Sequence, residues 1–181
     1  MRSRTIPAEP LQLRPAAPAD LPAIHAIYAH HVLHGLASFE EQPPPLEELQ
    51  RRHDDCIGRG LPWLVADLAG SVAGYGYCSP HHSRSAYRYT LDDSIYVRQD
   101  ARGKGVGSAI LRELIARCEG LGYRQLVAVI GDSANAASIN LHASLGFVRS
   151  GTLRSVGFKF GRWVDSAVMQ RPLGPGDSTP P

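Results

Sequence analysis

The sequence predicts an α/β (α+β) protein built on a mixed sheet, and three observations carry that reading. Strand-like and helix-like periodicities alternate along the chain, with no internal repeat. Residues Thr90–Val97 alternate so that one face of a strand is polar, and they run straight into a glycine-rich turn that opens a helix. Leu126–Ile130 is continuously apolar, which suits a central strand buried on both faces. At 181 residues, 43% of them apolar, the chain has the length of one domain and enough apolar side chains for a core.

Each element follows from local pattern. Residues 1–10 read as a flexible N-terminus, and Leu11–Arg14 as a short strand. Asp20 stands as N-cap of a helix whose Leu21, Ile24, Ile27, Tyr28 and Val32 recur every three or four residues; Pro22 is tolerated in the first turn. After Pro43-Pro44-Pro45, Leu46, Leu49, Cys56 and Ile57 mark a second helix that ends near Gly58 or Gly60. Trp63–Ala66 and Val72–Cys78 form a hairpin around a Leu-Ala-Gly turn. Beyond Thr90–Val97, the turn Arg102–Gly107 opens a helix with the stripe Ile110, Leu111, Leu114, Ile115 and Cys118, closed by Gly120 and Gly122. A helix from about Asn135 to Leu145 and an antiparallel pair, Phe147–Val156 and Trp163–Gln170, complete one domain over residues 11–173. Residues 174–181, GPGDSTPP, read as a flexible tail.

Composition narrows the function classes. Nineteen Lys and Arg against seventeen Asp and Glu leave +2, too little to read nucleic-acid binding from charge. No run of about 18 apolar residues occurs, so no membrane partner is expected. Cys56, Cys78 and Cys118 are odd in number and lack metal-ligand spacing, which fits a reducing, cytoplasmic compartment. His30-His31 and His81-His82 do not make a metal site, because adjacent side chains on a helix diverge by about 100° and no third ligand keeps sensible spacing. Phe158, Phe160 and Trp163 have strand spacing and read as core or dimer-interface residues.

The most informative stretch is Val97-Arg-Gln-Asp-Ala-Arg102-Gly103-Lys104-Gly105-Val106-Gly107-Ser108. A helix start presents unpaired N–H groups and the positive end of its dipole, and glycines let a pyrophosphate approach the backbone. The spacing excludes a P-loop, since Lys104 is followed by Gly105, and also the dinucleotide fingerprint, since the glycines give GxGxG. What remains is RxxGxG, as Arg102, Gly105 and Gly107. This resembles the acyl-coenzyme A pyrophosphate loop of the GNAT superfamily of N-acetyltransferases.

The resemblance extends along the chain. Asn135-Ala-Ala-Ser-Ile-Asn-Leu-His142-Ala-Ser-Leu-Gly146-Phe147 is similar to the superfamily's NxxAxxLYxxxGF segment, with histidine where tyrosine often stands. Three further stretches resemble the phosphinothricin and methionine sulfoximine N-acetyltransferase branch. They are Ser38-Phe39-Glu40, then Arg84 through Val97, and then Val129–Asn135 running on to Val156-Gly-Phe-Lys-Phe-Gly-Arg-Trp163. The branch usually has TVE where Thr90-Leu91-Asp92 stands, and RxR where this chain has His82 and Arg84.

The resemblance implies a GNAT-like, largely antiparallel sheet flanked by helices, acetyl-coenzyme A as co-substrate, an amino-acid-like amine as acceptor, and a homodimer. Asp92, sharing a strand face with Ser94 and Tyr96, is the candidate base, acting directly or through water. His142 is the candidate acid for the leaving thiolate. Tyr96, Val97 and the loop Arg102–Ser108 are assigned to the co-substrate; Asn135 either contacts its pantetheine arm or caps the helix it begins. Arg84 and Tyr87, with His82, are candidates to grip the acceptor, and Phe39 is either a lid over it or core. Two other readings stay open: a non-catalytic acyl-coenzyme A module, which would not need Asp92 or His142, and acetylation of protein N-termini or lysines.

Overall fold

The computed structural model describes residues 11–181; the expected flexible segment 1–10 lies outside them. The strands are β1 (Gln12–Pro15), β2 (Trp63–Leu68), β3 (Ser71–Pro80), β4 (Thr90–Val97), β5 (Gln125–Gly131), β6 (Val148–Lys159) and β7 (Arg162–Pro172). The α-helices among the described residues are α1 (Leu21–His34), α2 (Leu46–Gly58), α3 (Val106–Gly120) and α4 (Ala136–Ser144). The strands form one seven-stranded sheet in the order β1-β2-β3-β4-β5-β7-β6. Every neighbouring pair is antiparallel except β4 and β5, which are parallel and joined by α3 as the crossover.

Side-chain alternation on β4 sorts the helices into two layers. Tyr96 meets Tyr28 of α1 edge to face at 5.0 Å, whereas Asp93 meets His142 of α4. α1 and α2 therefore cover one face, α3 and α4 the other. The apolar stripes of α1 and α3 are buried as their spacing predicts. In α2 the buried line is Leu49, His53 and Cys56, while Leu46 and Ile57 are exposed, so the helix is rotated from the face expected.

Asp20 holds the N-cap position of α1 as expected, but its side chain makes no cap hydrogen bond; its carboxylate turns back to accept from the Ala17 N–H at 2.8 Å and from Arg14 at 2.6 and 2.8 Å. One expectation is corrected: β5 is not buried throughout, since Val129 is 51% exposed where β4 has already left its side. Of the two readings of Phe158, Phe160 and Trp163 the core is excluded, because all three stand exposed on the β6–β7 ribbon. In the tail, Arg124 donates to the Gly176 and Pro180 carbonyls and to the Thr179 hydroxyl.

Candidate active site

The site starts from an interruption of the sheet. β4 and β5 pair only from Thr90↔Gln125 to Asp93↔Ala128, although β4 continues to Val97 and β5 to Gly131. Beyond Asp93, β4 keeps β3 on one side, and its other edge faces a gap. Apart from the Val97 carbonyl, which His31 occupies, the backbone groups along that edge have no strand partner and suit an extended, amide-bearing ligand, much as an added strand would use them. The gap widens into a cavity of about 1000 Å³.

The mouth of the gap is the turn before α3. Gly103 and Gly105 have φ of 73° and 80°, a left-handed conformation that costs an L side chain strain. Gly105 is the helix N-cap and supplies no side-chain hydrogen bond, so the first amides of α3 are left for an anion. Tyr96, Val97, Arg102, Gly103, Gly105, Val106, Gly107 and Ser108 line the cavity, together with Asn135 and His142; Lys104 is exposed and is not part of the lining. Asn135 caps α4, its side-chain oxygen accepting from the Ser138 N–H at 3.1 Å. Opposite the loop, α1 contributes His30, His31 and His34. His31 donates to the Val97 carbonyl at 3.0 Å; burial pushes its pKa below the ordinary value despite that bond, and Arg102 adds to the effect.

At the closed end of the gap, two successive aspartates leave β4 on opposite faces. Asp92 points to the α1–α2 side, half-buried, and accepts from His81 Nδ1 at 2.6 Å. Burial raises its pKa above the usual carboxylate value and the His81 contact opposes that, a shift in the direction a base working near neutral pH needs. Asp92 is not in the cavity lining.

Asp93 points to the α4 side, and its side chain is 1% exposed. One carboxylate oxygen, Oδ2, lies 3.0 Å from His142 Nε2; the other, Oδ1, is buried without a hydrogen-bond partner among the described residues. His142 Nδ1 lies 2.7 Å from the Ser138 carbonyl, which can only accept, so Nδ1 carries a proton. Burial alone would lower the His142 pKa, yet Asp93 and the Ser138 carbonyl together hold it above the ordinary histidine value.

The residues expected to grip an acceptor are only partly gathered. His81, His82 and Tyr87 cluster beside Asp92, with ring centroids 5.7 Å apart for His81–Tyr87 and 4.9 Å for His82–Tyr87. His82 Nδ1 accepts from the Arg84 N–H at 3.0 Å. Arg84 is exposed, and its guanidinium makes no hydrogen bond to the described residues. Phe39 lies elsewhere, against β5 and β6. A Cβ at Gly157 would fall 2.5–3.0 Å from its ring, so β6 leaves out a side chain to seat it; at Gly131 a Cβ would meet the Leu36 carbonyl oxygen at 2.1 Å before the Phe39 ring at 3.1 Å.

Sequence reasoning missed four groups here. The sequence pattern gives Asp93 no role, because nothing local shows that α4 covers it, and His81 and His31 stand in histidine pairs whose one evident use, a metal site, fails on spacing. Lys159 sits in a stretch already singled out, and its ammonium, 2% exposed, donates to the Ser38 carbonyl at 2.7 Å and so pins the residue before Phe39. Among the described residues no group of three or more His, Cys, Asp or Glu could hold a metal ion, and no helix is long and apolar enough to cross a membrane.

Comparison with known proteins follows the same geometry. The model of the acetyltransferase (GNAT) family matches residues 24–147. The chain is 57% identical over 162 residues to a phosphinothricin N-acetyltransferase of Alcaligenes faecalis, covering 90% of this chain and 82% of that one. It is 44% identical over 169 residues to an L-methionine sulfoximine/L-methionine sulfone acetyltransferase of Pseudomonas aeruginosa, covering 93% and 98%. Among solved structures, a GNAT superfamily phosphinothricin acetyltransferase from Sinorhizobium meliloti, in complex with AcCoA, superposes with a TM-score of 0.91 at 49% identity, over 94% of this chain and 92% of that one.

Proposed function

The chain belongs to the acetyltransferase (GNAT) family and is an acetyl-coenzyme A-dependent N-acetyltransferase, and from that premise we propose that its acceptor is the amine of an amino-acid-like small molecule of the phosphinothricin, methionine sulfoximine or methionine sulfone type. The observation that carries the reading is the gap between β4 and β5, which opens on the uncapped start of α3 at one end and closes on Asp92 and Asp93 at the other. The pyrophosphate of acetyl-coenzyme A binds at the α3 amides beside Arg102, and the pantetheine arm lies along the free β4 edge and brings the thioester toward the closed end.

On the α1–α2 side, Asp92, oriented by His81, takes a proton from the acceptor ammonium directly or through water. The freed amine attacks the thioester carbon, a C–N bond forms, and the tetrahedral oxyanion collapses with loss of the thiolate. Protonation of that thiolate falls to His142 with its buried partner on the α4 side. Arg84, with no partner of its own, meets the acceptor carboxylate, Tyr87 and His82 flank it, and Phe39 covers it from the β5–β6 side.

The apolar ribbon of Leu153, Val156, Phe158, Phe160 and Trp163 is exposed, and a second copy of the chain is its proposed cover. Three buried, unbonded cysteines fit work in the cytoplasm.

The test is thiol release from acetyl-coenzyme A against a panel of methionine sulfone, methionine sulfoximine, phosphinothricin and a short peptide. Release that depends on the amino-acid-like acceptors is expected. Release only with the peptide would overturn the acceptor class, and tight binding of acetyl-coenzyme A with no release would make the chain a sensing module. Sedimentation of the purified chain as a monomer at micromolar concentration would remove the dimer.

A further inference from the structure

We infer that Lys159 is a positioning residue for acceptor selection: by holding the Ser38 carbonyl it stands Phe39 at the end of an apolar slot, floored by Val129, that takes the acceptor's side chain. The inference rests on the acceptor reading above and gives a place to the part of the acceptor that does not react.

One face of the sheet carries the slot. Val127 of β5 is the register partner of Asp92, and alternation puts Val129 and Gly131 on the same face. Gly131 pairs with Ser166 of β7, and Gly157 of β6 with Val164, two residues earlier, so Gly157 shares that face and Phe39 is seated there. The order along β5 is therefore Asp92 beside Val127, then Val129, then Phe39 beside Gly131. Each step is about 6.6 Å, at about 3.3 Å of rise per residue. Val127 and Ile130 are buried, but Val129 between the two ends is exposed and lines the cavity. An apolar side chain left open on a central strand, one step from the base, is a surface for an apolar part of the ligand. With the amine at Asp92, an unbranched side chain of the methionine sulfone type runs over Val129 toward Phe39.

Lys159 fixes where the slot ends. Ser38 is held from two sides: its Oγ lies 2.9 Å from the Tyr28 hydroxyl and accepts from the Glu40 N–H at 3.2 Å, while its carbonyl accepts from the Lys159 ammonium at 2.7 Å. The residue before Phe39 is thus tied at once to α1 and to the edge strand β6. No other donor among the described residues reaches that carbonyl, and the ammonium makes no other hydrogen bond to them; the Phe160 ring lies 5.0 Å away. Burying an ammonium carries a desolvation cost that a methionine of similar length would avoid. That cost lowers the pKa of Lys159, with Glu41 and Glu40 opposing. What the ammonium supplies in return is the position of Ser38, and through it the position of Phe39.

The test compares methionine sulfone with S-methylcysteine sulfone, which is one methylene shorter, by thiol release from acetyl-coenzyme A. The parent should favour methionine sulfone by about tenfold or more in kcat/KM, since a methylene in an apolar pocket is worth about 10–200-fold. In Lys159→Met that preference should shrink to about threefold or less, through a raised methionine sulfone KM, with kcat and acetyl-coenzyme A KM within about threefold of the parent. A folded Lys159→Met that keeps the preference, whether or not its activity falls, overturns the inference, because a merely structural lysine would affect both acceptors alike. If Lys159→Met does not fold by circular dichroism, Gly157→Ala decides, since its methyl group displaces the same Phe39 ring: loss of the preference is expected, and its retention overturns the slot and the role of Lys159 with it. A parent with no length preference also overturns the slot, Val129 then being covered by something other than the acceptor. A parent that releases no thiol with either sulfone defeats the acceptor reading itself, which is a distinct result.

Discussion

Asp92 and Asp93 are adjacent, chemically identical, and each hydrogen-bonded to a histidine, yet they live in different media. The Asp92–His81 pair is about one-third exposed at 29% and 32%, the Asp93–His142 pair 1% and 5% exposed. Strand alternation sends the two carboxylates to opposite faces, and the helix layers do the rest: α4 seals one pair, while the loop after β3 leaves the other partly open to solvent. The difference teaches that a His–Asp contact has no fixed worth. In water it is a mobile, titratable device, and in the interior it becomes a structural commitment whose breakage leaves a charge unpaired.

That contrast can be broken by experiment. The largest expected effect is on turnover: Asp92→Asn should lower kcat by about 10²–10⁴-fold with acetyl-coenzyme A affinity nearly unchanged, as measured by steady-state kinetics and calorimetry, because a general base acts on the amine. Full activity at pH 7 would make Asp92 structural.

Next, His142→Ala should cost about 3–5 kcal/mol in urea unfolding, since it strands Asp93 in the core. The same pair sets a pH dependence. Because the folded pKa of His142 is raised, its stabilisation is complete below about pH 6.5 and is lost as pH rises through the folded value. The parent's Tm should therefore fall more between pH 6 and 9 than that of His142→Gln, and parallel curves would show that the imidazole stays neutral.

Arg84→Ala tests whether the acceptor sits on the Asp92 side: acceptor KM should rise about 10–150-fold with little change for acetyl-coenzyme A. An unchanged acceptor KM would leave Arg84 a solvated loop residue. Smallest of all, His81→Ala should shift unfolding by no more than about 1 kcal/mol while still reducing kcat through a less well oriented Asp92. A loss as large as that of His142→Ala would erase the distinction between the two pairs.

Legibility in the sequence followed the range of the forces involved. β4 was read with its observed bounds because alternation is local, and the loop from Arg102 was read because glycine at left-handed positions is a backbone requirement written in residue type. Asn135 stood in the sequence as either a ligand contact or a cap, and the structure shows the cap. Val129 misled because apolarity alone does not reveal that a neighbouring strand departs, and for Trp163 it could not choose between the core and an exposed ribbon.

By itself, then, the sequence determined the order of elements, the glycine turn that opens α3 and the family, all of which depend on periodicity, backbone conformation and contiguous motifs. The tertiary structure alone decided where β4 parts from β5, which aspartate is sealed by α4 and which stays half-open, and that Phe39 rests on Gly157 of β6 with Lys159 pinning its neighbour. Those outcomes join residues as many as 121 positions apart, and burial, not residue type, sets the strength of each contact.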